Sequence, residues 1–123
     1  MNMIMLRDWL ESEALEVRVE ENLAGARQAL LDGALDLVLL DVRLGPEDGL
    51  DLVRWMRTQA NLRKLPVIAV TAHALRHEQD QILREGCNAV VSKPVDFRIL
   101  RRHLDLWLKA GSRAPIGEAE PCN

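Results

Sequence analysis

Three side chains capable of chemistry stand at the ends of apolar strand runs: Asp41 directly after Leu37-Val38-Leu39-Leu40, Thr71 directly after Val67-Ile68-Ala69-Val70, and Lys93 after Ala89-Val90-Val91 and Ser92. An acid placed directly after four aliphatic residues must face a cleft or solvent, because burying its charge unpartnered is costly. A carboxylate so placed can attack a phosphoryl group and form an aspartyl-phosphate, which splits one transfer into two easier steps. Catalysis of such a transfer is mostly positioning and charge neutralisation, since charge spreads over the equatorial phosphoryl oxygens. Lys93 offers a compact positive charge for one of those oxygens and Thr71 a hydroxyl donor for another. A divalent metal normally supplies the rest. Singly, each residue has a plain reading: a turn start for Asp41, an ordinary strand residue for Thr71, a solvated flank for Lys93. The combination carries the chemical reading.

The elements that must position these groups alternate along the chain. Met3, Leu6, Leu10 and Ala14 recur at helical spacing. Val17 and Val19 alternate with Glu16, Arg18 and Glu20, which predicts a short, half-buried strand. Asn22 can cap a helix carrying Leu23, Ala26, Ala29 and Leu30 and ending near Gly33. The run from 37 to 40 has the pattern of a parallel strand covered on both faces. Helices over about 50–58, 77–85 and 96–109 then alternate with strands over 66–71 and 89–92. Such alternation predicts a parallel sheet with helices on both faces, whose ligands bind beyond the carboxyl ends of the strands. Asp41, Thr71 and Lys93 would therefore converge at one edge.

Length and composition fit a single domain: 123 residues, 48% hydrophobic and 28% charged. The domain is read over 1–110, and 111–123, with glycine, prolines and charges but no apolar periodicity, as a flexible tail. Net charge is −3 and lysine and arginine are interspersed with acids, so no basic stripe points to nucleic acid. Met1 to Leu6 is too short an apolar stretch to span a bilayer, and the acids that follow do not suit a signal peptide. No membrane association and a cytoplasmic location are expected. Cys87 and Cys122 form no metal-ligand spacing and read as reduced thiols.

Leu39-Leu40-Asp41-Val42 with Asp48-Gly49, Pro66-Val67-Ile68-Ala69-Val70-Thr71-Ala72, and Ser92-Lys93-Pro94 together resemble the response-regulator receiver family. The motifs are individually short, but Thr71 stands thirty residues after Asp41 and Lys93 twenty-two after Thr71, and this joint spacing is specific. The likeness runs from about Asn2 to Lys109. It implies a flavodoxin-like doubly wound α/β sheet of strand order 2-1-3-4-5. It also implies phosphorylation of Asp41 from a phosphohistidine, a switch role for the Thr71 hydroxyl, phosphate contact by Lys93, and magnesium. The implied partners are a sensor histidine kinase or histidine phosphotransfer protein upstream and a protein target downstream, contacted through residues 77–109. Gly86 resembles the family's helix-ending glycine, and the Lys93–Pro94 bond falls where receivers carry a cis peptide.

The sequence also departs from the family. A receiver opens with an apolar strand ending in two acids, which with the phosphoacceptor and a carbonyl two residues later hold magnesium. Here the first helical pattern begins at Asn2, so the fold is expected to lack its first strand. Asp41 and the Arg43 backbone carbonyl remain as metal ligands, and one carboxylate predicts weak magnesium binding. The gap between the Val17–Val19 and Leu37–Leu40 strands is expected to close by movement of the former against the latter, or by pairing of two chains into a homodimer through exposed edges. Val90 stands where many receivers carry an aromatic switch residue, and the loop after Asp41 has its proline displaced to Pro46.

Two functions from different classes remain: a phosphoacceptor receiver signalling by protein contact, and a degenerate receiver acting as a phosphorylation-independent interaction module. Neither is a conventional enzyme; self-catalysed transfer onto Asp41 is the most chemistry expected. A phosphatase of the aspartate-nucleophile type would need a second aspartate two residues on, where this chain has Arg43. His73 and His77, four residues apart, have no third ligand nearby and read as solvated. His103, Trp55 and Trp107 read as packing residues.

Overall fold

The computed structural model describes residues 3–44, 47–72, 75–109 and 117–121. Five helices, α1 (Met3–Ser12), α2 (Leu23–Asp32), α3 (Leu50–Arg57), α4 (Arg76–Arg84) and α5 (Phe97–Lys109), alternate with strands β1 (Glu16–Glu20), β2 (Leu37–Asp41), β5 (Val67–Thr71) and β6 (Ala89–Ser92). A two-residue hairpin, β3 (Arg43–Leu44) with β4 (Glu47–Asp48), stands between β2 and α3. A last strand, β7 (Gly117–Pro121), follows α5. Asn22 caps α2 as its sequence suggests: the side-chain oxygen accepts from the Gly25 N–H at 2.8 Å.

The aliphatic run of β2 is buried throughout, and its alternation divides it between two cores. Val38 and Leu40 join Val67 and Ala69 under α2, α3 and α4, where Leu23, Ala26, Leu30, Leu52, Val53, Met56 and Ile82 pack. Leu37 and Leu39 join Ile68, Val70, Ala89 and Val91 under α1 and α5, against Leu6, Leu10, Leu100 and Leu104. This is the parallel sheet with helices on both faces that the alternation predicts, and the flavodoxin-like arrangement that the resemblance implies. On the second face Trp9 of α1 stacks on Phe97 of α5, with ring centroids 4.7 Å apart, and Arg101 of α5 pairs with Glu13.

The principal sheet is parallel and five-stranded, in the order β1-β7-β2-β5-β6. Here the structure differs from the sequence reading. Residues 111–123 carry no pattern of regular structure, yet Gly117–Pro121 lies between β1 and β2 as a strand. It pairs with β1 over five residues, Glu16↔Gly117 to Glu20↔Pro121, and with β2 at Leu37↔Glu118 and Val38↔Ala119. β1 therefore has not moved against β2, and the edges expected to seek another strand or another chain both face β7. The cause is backbone pairing: two parallel strands one strand-width apart present rows of N–H and C=O groups that a third extended segment satisfies whatever its side chains. A pattern of side-chain hydrophobicity does not register such a demand.

Candidate functional site

At the carboxyl edge, β2, β5 and β6 are direct neighbours, with Asp41↔Val70 and Thr71↔Ser92 in register. This brings the three strand-end residues together. Lys93 Nζ donates to Asp41 Oδ2 at 2.8 Å, crossing over β5. The Lys93 backbone N–H donates to the Thr71 carbonyl at 2.8 Å, which anchors the chain where it leaves β6. The Lys93–Pro94 peptide is cis. Thr71 is buried, with 4% of its surface exposed, whereas the Asp41 side chain keeps 14% and that of Lys93 30%. The carboxylate is thus reachable from solvent and held by a charge-assisted hydrogen bond, a stronger class than a neutral one.

The chain beyond Asp41 is fixed by backbone contacts. Val42 N–H donates to the Val70 carbonyl at 3.1 Å, and Gly49 N–H donates to the Val42 carbonyl at 2.8 Å. Arg43–Leu44 pairs antiparallel with Glu47–Asp48; Gly45 and the displaced proline, Pro46, lie outside the described residues. Asp48 Oδ1 accepts from the Leu50 N–H at 3.0 Å and so starts α3. Gly49 has an ordinary helical backbone, but a Cβ there would stand 2.5 Å from the Asp41 carbonyl oxygen and 3.0 Å from that of Val42. Only glycine lets the start of α3 lie against the end of β2.

Sequence reasoning missed Arg57 altogether. Its guanidinium donates twice to the Gly86 carbonyl, at 3.1 and 2.7 Å, to the carbonyls of Leu62, Arg63 and Leu65, and to Asn88 Oδ1 at 3.2 Å. Asn88 Oδ1 also accepts from the Val67 N–H at 2.9 Å. One side chain at the end of α3 thereby ties the turns entering β5 and β6, the two strands that deliver Thr71 and Lys93. Burial holds the Arg57 guanidinium below its ordinary pKa. Gly86, with φ of +122°, takes a backbone conformation that favours glycine and turns its carbonyl to Arg57. An arginine in the last turn of a helix carries no sequence signal for this role.

The other flagged residues are placed as follows. His77 is exposed on α4, His103 is half-buried on α5, and His73 and Cys122 lie outside the described residues. Trp55 packs against the first core with Arg27 over its ring at 5.5 Å, and Trp107 packs against the second. Val90 is partly buried against the first core. Cys87 is buried, and desolvation pushes its thiol up to about 12, which leaves it protonated and inert.

Magnesium is the metal that the resemblance implies. Among the described residues no three His, Cys, Asp or Glu side chains gather as a metal-binding group. Asp41 contributes one carboxylate, already bonded to Lys93, and the Arg43 carbonyl lies two residues on in β3. The described side chains do not fit a divalent-cation site.

Residues 1–105 match the family described as response regulator receiver domain. The chain is 35% identical over 95 residues to the polar-differentiation response regulator DivK of Brucella anthropi, covering 77% of each chain. Among solved structures, it superposes on the receiver domain of sensor histidine kinase PA1611 from Pseudomonas aeruginosa with a TM-score of 0.80, 30% identity and 89% of each chain covered. That receiver carries a magnesium ion coordinated in its active-site cleft. A signal receiver domain of a histidine kinase from Syntrophus aciditrophicus gives a TM-score of 0.78 at 27% identity, over 89% of this chain and 83% of that one. The chain belongs to the response-regulator receiver family and is a receiver domain of two-component signalling. No helix among the described residues is long and apolar enough to cross a membrane.

Proposed function

We propose that Asp41 is the phosphoacceptor of a two-component phosphorelay, with Lys93 as the phosphate contact and Thr71 as the switch hydroxyl. The observation that carries this reading is the 2.8 Å contact between Lys93 Nζ and Asp41 Oδ2 at the carboxyl edge of the sheet. An Asp41 carboxylate oxygen attacks the phosphorus of a phosphohistidine, the P–N bond breaks, and the imidazole leaves and takes up a proton. The Lys93 ammonium then exchanges part of its bond to the carboxylate for one to a phosphoryl oxygen, keeping a positive charge where negative charge develops. The donor is a sensor histidine kinase or histidine phosphotransfer protein, and the signal leaves by protein contact over α4, β6 and α5.

That no carboxylate set gathers among the described residues favours slow phosphorylation with weak magnesium dependence, since one carboxylate and one carbonyl make a poor magnesium site. It also supports the second reading, a receiver that acts as an interaction module without phosphorylation. Incubation with a small phosphodonor such as acetyl phosphate, with and without magnesium, separates the two. An acid- and base-labile phosphoryl mass gain in the wild type that is lost in Asp41→Asn supports the phosphoacceptor. A wild type that never gains phosphate, although folded, supports the module.

A further inference from the structure

Among the described residues, most of the large apolar side chains left exposed belong to two helices: Leu75 (62% exposed) at the cap of α4, Leu83 (42%) within it, and Ile99 (44%) and Leu106 (59%) on α5. β6 is the outermost strand of the sheet, with α4 over one face and α5 over the other. Contacts on the inner side of each helix decide where these residues lie. α4 meets α3 on one side, where Glu85 accepts from Arg54, and Leu75, Gln79 and Leu83 run along the other at four-residue spacing. α5 meets α1 on one side, through the Trp9–Phe97 stack and the Arg101–Glu13 pair, and Ile99, His103 and Leu106 run along the other. The two stripes therefore flank the outer edge of β6. Charge on this face is uneven. Arg76 of α4 and Arg102 of α5 are exposed and pair with no acid among the described residues, whereas Asp96 lies beside Arg98 and Asp105 beside Arg101. Asp80 is the exposed acid that remains on α4.

We infer that the face formed by α4, β6 and α5 takes an acidic amphipathic helix of the downstream protein. Aliphatic residues of that helix, at i, i+4 and i+7, lie between the two stripes, and carboxylates on its flanks meet Arg76 and Arg102. Leu75 to Leu83 spans about 12 Å of helix, so a partner helix of roughly two to three turns matches the face. A second copy of this chain fits less well. A two-fold interface sets a face against itself, so the same excess of cations would meet across it with Asp80 as the compensating acid. The inference rests on the reading that the signal leaves by contact over α4, β6 and α5, and adds the chemistry of the partner.

The test uses the full chain and a fluorescent, end-capped, alanine-based helical peptide with leucines at i, i+4 and i+7 and glutamates on its flanks. Anisotropy is followed with and without acetyl phosphate, and mass spectrometry of the same samples records phosphate gain. A second peptide carries lysines in place of the glutamates. The expected result is saturable binding of the acidic peptide, weakened about tenfold by Leu106→Ser and by Arg102→Glu. Arg102→Glu should also narrow the preference for glutamates over lysines. Leu31→Ser, on α2, should change nothing. All three residues are exposed, so the variants should fold. Tighter binding of the lysine peptide, binding that neither Leu106→Ser nor Arg102→Glu alters, or no binding at all would overturn the inference. So would a dimer in sedimentation that Leu106→Ser dissolves, since a second copy would then cover the face. Binding by a chain that never gains phosphate upholds the inference while the phosphoacceptor reading fails; phosphate gain without binding does the reverse.

Discussion

Lys93 Nζ reaches Asp41 Oδ2 at 2.8 Å although the two residues leave strands that are not neighbours, β5 lying between them. Two strand spacings amount to about 9–10 Å, and a fully extended lysine is among the few side chains that can bridge them. The ammonium therefore crosses the end of β5, where Thr71 stands. The hydrogen bond from Lys93 N–H to the Thr71 carbonyl fixes where that bridge starts.

Lys93→Ala should slow acyl-phosphate formation by roughly tenfold or more, because a hydrogen bond to a charged group is worth about 1.5–3 kcal/mol. Folding should suffer little, since both side chains retain solvent contact. Phosphorylation rate and thermal melting, measured on the same preparation, check both halves; global unfolding of the variant would assign Lys93 a structural task instead.

Gly49→Ala should destabilise the domain by about 1–3 kcal/mol and impair the site, because its Cβ would press on the Asp41 and Val42 carbonyls. The backbone angles at Gly49 suit any residue, so the effect is one of close approach alone. Urea unfolding should show the loss, and a variant as stable as the wild type would mean that α3 can retreat freely.

Arg57→Ala should cost about 3 kcal/mol or more, since the carbonyls of Leu62, Leu65 and Gly86 and the amide of Asn88 all lose a shared donor. Arg57→Lys should recover little, because an ammonium cannot reproduce the planar fork. Hydrogen exchange should reveal faster opening at the starts of β5 and β6. A lysine variant with wild-type stability would show that charge alone suffices.

Cys87 should resist alkylation in the folded chain at pH 8 and react once the chain is unfolded. Burial raises its pKa from about 9 to about 12, so between those values the folded state keeps a proton that the unfolded state loses. Stability therefore falls as pH rises through that window, with a slope approaching 1.4 kcal/mol per pH unit. Cys87→Ala should flatten this part of the stability profile, and an unchanged slope would place its origin elsewhere.

The parts legible in sequence were those that side-chain pattern decides. The aliphatic runs of β2 and β5 announced strands buried on both faces, and their closing residues announced the site edge. Asn22, Gly33 and Gly86 marked helix ends. What stayed illegible depends on backbone geometry in three dimensions. β7 has no hydrophobic pattern because its place is set by the hydrogen-bonding edges of β1 and β2. Gly49 reads as an ordinary turn glycine until the Asp41 carbonyl is seen against it, and the acceptors of Arg57 come from turns up to thirty-one residues away.

The most direct test of the central claim is to locate the phosphoryl group. The chain is treated with acetyl phosphate, reduced with borohydride to convert any aspartyl-phosphate to homoserine, digested and sequenced by mass spectrometry. Homoserine is expected at position 41 in the wild type, and none in Asp41→Asn. Conversion at another aspartate, or an Asp41→Asn protein that remains folded and still gains phosphate, would contradict it.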